Sequence, residues 1–190
     1  MTKDLRILLA QLNPTVGDLE KNTQLVLRTY QEANKKNVDL VVFPEMFITG
    51  YQIQDLILKP SFQKDVSRFL TLLSSKCAGN SCLLFGAPIS EGHKLYNGYF
   101  LLKNGKISIV TKKKHLPNSG IFDERRYFSS GNLSTIFKIK DINIGCPICE
   151  DIWHSDVIKK LKIKGADLLI SPNGSPYERG KMALRHNIVK

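Results

Sequence analysis

The sequence contains no apolar run that approaches the roughly 18 residues a helix needs to cross a membrane. Near the N-terminus, the apolar stretch is too short for the hydrophobic region of a signal peptide, and no small-residue cleavage site follows it. These absences argue against a membrane protein and against a secreted one. We therefore expect a cytoplasmic protein without a membrane partner.

Cysteine is sparse, with four residues in the chain: Cys77, Cys82, Cys146 and Cys149. A reducing cytoplasm disfavours disulfides between them. Cys146 and Cys149 form a single C-x-x-C pair, which cannot supply four zinc ligands, and the other two are not spaced as a second motif. A redox role fits poorly because the pair follows a strand late in the chain instead of opening a helix in a small thioredoxin-like domain. We predict no metal site.

Acidic residues are few: 17 Asp and Glu stand against 28 Lys and Arg, which gives a formal net charge of +11. A basic chain favours nucleic-acid binding when its cations cluster with aromatic residues in a recognisable module. The densest basic runs are residues 112–114 and 159–164, and the second is typical of the solvated side of a helix. No nucleic-acid module accompanies either run, so we expect no nucleic-acid partner.

A chain of 190 residues with 42% hydrophobic content is typical of one globular domain. Apolar periodicity predicts strands and helices that alternate at both ends, with a hairpin between them that turns at Asn104-Gly105. This order favours an α/β fold with a mixed sheet or two sheets. The predicted strands are residues 5–11, 38–43, 81–87, 96–103, 106–111, 136–139, 142–147 and 167–171, and the predicted helices are one that begins at 19, 61–78, 155–164 and a segment after 177.

Polar or nucleophilic side chains directly follow several of these strands. Glu45 comes after the strand at 38–43, Asn173 stands at the matching place after 167–171, and Cys149 follows another strand. Sites in α/β sheets gather at the carboxyl ends of strands. We therefore expect these three residues at one edge of the fold.

A cysteine thiol titrates at about pH 8.5 in a peptide and needs a base or a cation to react at neutral pH. Glu45, expected to be partly desolvated behind a buried strand, is a candidate general base. Lys113, where the hairpin passes into a loop, is placed to stabilise first a thiolate and then the oxyanion of a tetrahedral intermediate. A cysteine–histidine pair is the rival arrangement. Neither His115 nor His154 is excluded as the partner of Cys149 by its position in the sequence.

Three segments of the chain stand out: residues 43–45 (Phe-Pro-Glu), 113–117 (Lys-Lys-His-Leu-Pro) and 148–153 (Ile-Cys-Glu-Asp-Ile-Trp). In order and spacing they resemble the signature segments of the nitrilase (carbon–nitrogen hydrolase) superfamily. Residues 116–128 and 173–177 are similar to the glutaminase domain of glutamine-dependent NAD synthetases. The resemblance runs from Leu5 to the end of the chain. It implies an α/β fold, a four-layer α-β-β-α sandwich with two mixed sheets, in which residues 1–190 form a carbon–nitrogen hydrolase domain that is incomplete at its C-terminus.

The resemblance also implies roles for single residues. Glu45 corresponds to the general base, Cys149 to the nucleophile and Lys113 to the group that stabilises the intermediates. Lys113 is chosen over its neighbours because the family lysine stands three residues before the Leu-Pro. Glu124 matches the acid that supports this lysine. The positions that match substrate-holding residues are Phe122, Glu150, Ser175 and Ser119, the last of which stands where family members often have a pocket-lining tyrosine.

The implied reaction is hydrolysis of the side-chain amide of L-glutamine through a cysteine thioester, with release of ammonia. In that family a second, synthetase domain uses the ammonia for ATP-dependent amidation of deamido-NAD. The pyrophosphate-loop pattern Ser-Gly-Gly-x-Asp-Ser does not occur in this sequence. We therefore expect no cofactor in this chain, with ATP and magnesium needed only in the synthetase domain. The resemblance also implies a homo-oligomer in the full-length enzyme.

Two other functions stay open on the sequence alone. One is a stand-alone nitrilase-family amidase that acts on a small ω-amide. The other is a catalytically inactive interaction fragment, because a shortened domain would leave strand edges free to associate. Reaction with a glutamine-analogue electrophile argues against the inactive fragment, and activity on other amides but not on glutamine favours the amidase.

Overall fold

The computed structural model describes residues 4–189, and each predicted strand and helix has a counterpart in it. The strands are β1 (Ile7–Leu9), β2 (Leu40–Val42), β3 (Cys82–Glu91), β4 (Lys94–Lys103), β5 (Lys106–Lys112), β6 (Ile136–Ile139), β7 (Ile142–Gly145) and β8 (Leu168–Leu169). The α-helices are α1 (Leu19–Lys35), α2 (Pro60–Lys76), α3 (Ser155–Ile163) and α4 (Lys181–Val189). Short 3-10 helices cover Gln54–Leu58, Glu124–Arg126 and Cys149–Trp153.

The strands form two mixed sheets. In the first, ordered β1-β2-β3-β4-β5, the first three strands are parallel, and β4 and β5 each run antiparallel to the strand before. In the second, ordered β6-β7-β8, the central strand β7 is antiparallel to β6 and parallel to β8. The predicted pair of mixed sheets is confirmed.

Two hydrophobic cores separate the layers of the fold. One face of the first sheet packs against the buried sides of α1 and α2. Its other face packs against the second sheet through residues such as Leu84, Tyr99 and Ile144. Outside the second sheet, Leu161 of α3 lies so close to β7 that a Cβ at Gly145 would be 3.0 Å from its Cδ2 atom. The layer order is therefore α-β-β-α, as the resemblance implies.

Local sequence accounts for the ends of several elements. Asp18 caps α1, because its Oδ1 accepts a hydrogen bond from the N–H of Lys21 at 3.0 Å. The β4–β5 turn has φ values of 52° at Asn104 and 71° at Gly105, and a type I′ turn requires positive values at both positions. The predicted hairpin is confirmed.

β3 is longer than the sequence predicts. The strand expected at 81–87 continues through Pro88 to Glu91 and forms a second hairpin with β4. Pro88 is tolerated because β2 pairs only with Cys82–Leu84, which leaves the later part of β3 at an edge of the sheet. The register of this hairpin places Asn97 opposite Pro88.

Four strands are shorter than predicted. β1, β2, β7 and β8 each begin or end one or two residues inside the predicted range, because the apolar run continues beyond the paired segment. β8, for example, pairs only with Ile144 and Gly145 of β7. Within residues 4–189, none of the helices has the length and apolar character needed to cross a membrane.

Candidate active site

Lys113 lies at the centre of a buried charged cluster. Its Nζ atom is 2.7 Å from Glu45 Oε1 and 2.8 Å from Glu124 Oε1. Lys113 directly follows β5, Glu45 follows β2, and Glu124 belongs to the loop beyond β5. All three residues are at most 3% exposed. The structure therefore brings together three of the residues predicted from the sequence.

The cluster contains more negative than positive groups, with two carboxylates and one ammonium. Burial lowers the pKa of Lys113, but the carboxylates of Glu45 and Glu124 outweigh burial, so the pKa lies above its ordinary value. Burial, and then the charge of Glu45, raises the pKa of Glu124, although Lys113 opposes the change. Two carboxylates thus share one ammonium. Such a cluster keeps the lysine protonated and is suited to take up one further proton on a carboxylate.

Neutral groups orient the two carboxylates. Asn97 Nδ2 donates a hydrogen bond to Glu45 Oε1 at 2.8 Å, and Tyr51 OH donates to Glu124 Oε1 at 2.8 Å. The N–H of Gly174 donates to Glu45 Oε2 at 2.8 Å. A Cβ at position 174 would lie 2.9 Å from the Tyr51 ring and 3.2 Å from the Glu45 carboxylate, so this approach needs glycine. Glu45 is consequently held through both of its oxygens.

Cys149 begins the 3-10 helix Cys149–Trp153, shortly after the carboxyl end of β7. Its φ of 45° is in the left-handed region, and its N–H donates to the carbonyl of Pro172 at 2.9 Å. Its Sγ atom lies 3.4 Å from Ser175 Oγ. Cys149 is 4% exposed, whereas Cys146 is fully buried in the core between the sheets.

The pKa of the Cys149 thiol is raised to about 12, first by burial and then by the charge of Glu45. Lys113 and the hydrogen bond with Ser175 act in the opposite direction but are outweighed. Lys113 thus acts in the direction predicted from the sequence, towards the thiolate, while burial and the charge of Glu45 favour the protonated thiol. Sulfur can attack only as its proton leaves, and Glu45 is the carboxylate whose charge acts on that thiol.

An open cleft of about 870 Å³ adjoins the site and contains most of the residues predicted to hold the substrate. Ser119, Phe122 and Glu150 line it. The Phe122 ring centre lies 6.1 Å from that of Tyr51, which connects the cleft to the buried cluster. Ser175, the fourth predicted residue, contacts Cys149 instead.

The two histidines of the rival arrangement contact each other. The rings of His115 and His154 stack with their centres 3.7 Å apart. His115 Nε2 lies 2.9 Å from Asp156 Oδ1, and His154 Nε2 lies 3.6 Å from Glu150 Oε1. Both histidines line the cleft, whereas the charges that act on the Cys149 thiol are those of Glu45 and Lys113. The geometry favours a Cys–Glu–Lys arrangement.

A comparison with protein families agrees with this geometry. Residues 6–189 match the carbon–nitrogen hydrolase family. The chain belongs to that family. The matched range includes each residue of the buried cluster, the cysteine beside it and the cleft.

Among carbon–nitrogen hydrolases, the chain is similar to several glutamine-dependent NAD(+) synthetases. It is 42% identical to the one from Rhodobacter capsulatus over 189 residues, which is 100% of this chain and 34% of the relative. It is 38% identical to the one from Thermotoga maritima, with 98% of this chain and 33% of the relative aligned. The chain thus spans about a third of the length of the curated relatives it matches.

Solved structures of carbon–nitrogen hydrolases share the fold. Glutamine-dependent NAD+ synthetase from Acinetobacter baumannii superposes with a TM-score of 0.91 at 33% identity, over 97% of this chain and 35% of the other. An amidase from Nesterenkonia sp. superposes with a TM-score of 0.83 at 18% identity, over 94% of this chain and 68% of the other. The second likeness is one of fold alone. Together they confirm the nitrilase-type fold implied by the signature segments.

Several residues of this carbon–nitrogen hydrolase site were not predicted from the sequence. Asn97 and Tyr51 orient the two carboxylates, and Arg125 and Lys181 line the cleft. Asn97 carries a usable signal, since it is an amide within an otherwise apolar and aromatic strand. The other three lie outside strands and follow no pattern that distinguishes them from surface residues.

Proposed function

We propose that this chain hydrolyses the side-chain amide of L-glutamine and supplies the ammonia to an NAD synthetase reaction. The observation that carries the proposal is the buried ammonium of Lys113, held between the carboxylates of Glu45 and Glu124, together with the Cys149 thiol, on which the charges of Lys113 and Glu45 act. The similarity to glutamine-dependent NAD(+) synthetases supports glutamine as the substrate.

In the first half-reaction, the proton of Cys149 Sγ passes to Glu45 as sulfur bonds to the amide carbon. The carbonyl oxygen becomes an oxyanion. Lys113 has three N–H donors, of which two go to the carboxylates, and we assign the third to this oxyanion. When the C–N bond breaks, Glu45 returns the proton to the departing nitrogen, which leaves as ammonia. The product on the enzyme is a glutamyl thioester.

In the second half-reaction, water attacks the thioester carbon while Glu45 takes a proton from it. The C–O bond forms, the C–S bond breaks, and the proton passes to sulfur to restore the thiol. The site is suited to this cycle because Glu45 changes protonation state twice while its two oxygens stay hydrogen-bonded to Lys113, Asn97 and Gly174. The lysine stabilises the oxyanion of both tetrahedral intermediates.

The cleft supports recognition of an amino-acid amide. Glu150 carries the negative charge that an α-ammonium group requires, and Phe122 offers an aromatic face to the methylene chain. Ser175 is placed at the sulfur, where it can hydrogen-bond the reacting amide. Ser119 lines the outer part of the cleft and is exposed, so we assign it a minor contribution.

We propose that the ammonia passes to a synthetase domain of the kind for which the relatives are named, where ATP and magnesium would be used to amidate deamido-NAD. On this proposal residues 1–190 are a partial carbon–nitrogen hydrolase domain, and the full-length enzyme is a homo-oligomer. The free thiols of all four cysteines support a cytoplasmic location.

The proposal is tested by incubating the chain with a glutamine-analogue electrophile and weighing the intact protein. We expect one adduct in the wild type and in Cys146→Ala, and none in Cys149→Ala. An adduct that persists in Cys149→Ala would overturn the assignment of the nucleophile.

The same preparations distinguish the alternatives. A folded wild-type chain that forms no adduct and releases no ammonia from glutamine would be an inactive fragment. Release of ammonia from small ω-amides but not from glutamine would identify an amidase. Either outcome contradicts the proposed substrate.

A further inference from the structure

Asp151 is a buried acid that joins the two halves of the proposed catalytic site. It is 0% exposed, and its carboxylate accepts three backbone hydrogen bonds. Oδ1 accepts from the N–H of Lys114 at 3.1 Å and from that of His115 at 2.8 Å. Oδ2 accepts from the N–H of Ile148 at 3.2 Å. The donors therefore come from two separate parts of the chain.

The positions of these donors give the contact its importance. Lys114 directly follows the catalytic lysine, and Ile148 directly precedes the nucleophile. The first belongs to the segment that leaves the first sheet and the second to the segment that leaves the second sheet. One carboxylate thus links the residue that follows the lysine to the residue that precedes the nucleophile.

The turn at Cys149 needs such support. A non-glycine residue with φ of 45° is in a sparsely populated, strained region of backbone conformation, which persists only where surrounding contacts hold it. The turn closes through the N–H of Asp151, which donates to the carbonyl of Ile148 at 2.9 Å. Its carboxylate in turn accepts a hydrogen bond from the N–H of Ile148. Asp151 therefore shapes the turn and ties it to Lys114 and His115.

We propose that Asp151 is a positioning residue that sets the separation of Cys149 Sγ from Lys113 Nζ without touching the substrate. The inference rests on the proposed function, because that separation matters only if sulfur attacks a carbon whose oxygen is held by the lysine. A displacement of about 1 Å in such an arrangement is enough to lower a rate by about 100-fold.

The informative substitution is Asp151→Asn, which keeps the size of the side chain. An asparagine that directs its oxygen to Lys114 and His115 turns its NH₂ toward the N–H of Ile148, where two donors face each other. The link between the two segments is then broken while the core stays filled.

The experiment measures labelling of Cys149 by the glutamine-analogue electrophile at increasing concentration. For Asp151→Asn we expect the maximal labelling rate to fall by about 10-fold or more, with the half-saturating concentration within about 2-fold of wild type. Iodoacetamide, which needs the sulfur but not the lysine, should label variant and wild type at rates within about 2-fold.

Asp156→Asn is the matched control. Asp156 is an exposed acid that contacts the same two residues through their side chains, since it accepts from Lys114 Nζ and lies 2.9 Å from His115 Nε2. Its substitution should leave both labelling constants within about 2-fold of wild type.

The outcomes separate this inference from the proposed function. Wild-type protein that is not labelled by the analogue contradicts the proposed function and the inference with it. Labelling of Asp151→Asn at the wild-type maximal rate overturns the inference alone, and so does an equal loss of reactivity toward both reagents, which indicates general loosening. If Asp151→Asn does not fold, Asp151→Ser, which keeps one acceptor oxygen, is measured in the same way, and a wild-type maximal rate overturns the inference.

Discussion

The buried cluster and the cleft beside it differ in how their side chains are held. Glu45, Lys113 and Glu124 are almost fully buried, and each is hydrogen-bonded to at least one of the others. In the cleft, Ser119 is exposed and Phe122 and Glu150 are partly exposed. Glu45 and Lys113 of the cluster lie at strand ends and Glu124 lies in the loop after β5, whereas the three cleft residues lie on that loop and on the 3-10 helix that begins at Cys149.

This difference separates chemistry from recognition in physical terms. Buried charges are tolerated only when each is paired, so a change at one member of the cluster leaves the others uncompensated. Cleft residues are hydrated on one side and their replacement costs the fold little. We therefore expect cluster substitutions to reduce turnover and stability together, and cleft substitutions to change substrate affinity alone.

The largest effect is expected for Lys113→Met, which removes the shared cation and leaves two buried carboxylates facing each other. The free energy of unfolding should fall by about 3 to 5 kcal/mol, and ammonia release should fall below detection. Urea unfolding and a glutaminase assay measure the two quantities.

Lys112→Met is the control for that change. Lys112 is the preceding residue and pairs with Glu91 at the surface, where one ion pair contributes less than about 1 kcal/mol. Equal destabilisation by the two substitutions would contradict the contrast between the buried cluster and the surface.

The second prediction concerns the pH dependence of Cys149 alkylation in the wild type and in Glu45→Gln. Burial, and then the charge of Glu45, raises the pKa of Cys149 to about 12. The thiolate fraction, and with it the rate of reaction with iodoacetamide, should rise about tenfold for each pH unit between pH 7 and 11. In Glu45→Gln the pKa of Cys149 should fall, because one cause of the rise is removed. Alkylation at pH 8 should then be faster, while glutamine hydrolysis falls by about 100- to 10,000-fold.

An alkylation rate that is level above pH 7 in the wild type would contradict this prediction. It would mean that Lys113 maintains a preformed thiolate despite burial. Cys146→Ala should leave the profile unchanged, because Cys146 is fully buried.

The prediction of these regions from the sequence succeeded where the information was local. Glu45 and Cys149 were found because each directly follows a buried strand, and the turn at Asn104 was found from its own dipeptide. Asn97 could not be assigned a partner in this way. Its contact with Glu45 depends on the register of β3 against β4, and that register depends on a hairpin extending through Pro88.

Asp151 illustrates a second limit. Two of its partners, Lys114 and His115, lie 37 and 36 residues earlier in the chain, and only folding brings them to Asp151. The third, Ile148, lies three residues earlier. The protonation state of Cys149 was also beyond local sequence. It depends on the balance between burial, the Glu45 carboxylate and the Lys113 ammonium, which the order of residues along the chain does not contain.

The smallest effect is expected in the cleft, for Phe122→Ala. Removing the ring takes away one apolar face for the substrate, so the KM for glutamine should rise about tenfold, equivalent to about 1.4 kcal/mol, with kcat changed by less than about 2-fold. The free energy of unfolding should change by less than about 1 kcal/mol, because the side chain is partly exposed. Steady-state kinetics of ammonia release and urea unfolding measure these values.

Ile121→Ala is the control, since Ile121 is the adjacent residue, is 62% exposed and lies outside the cleft lining. Its KM should stay within about 2-fold of wild type. A fall in kcat for Phe122→Ala with KM unchanged would break the separation of chemistry from recognition. The contact between Phe122 and Tyr51 would then be the route by which the cleft acts on Glu124, because Tyr51 donates a hydrogen bond to that carboxylate.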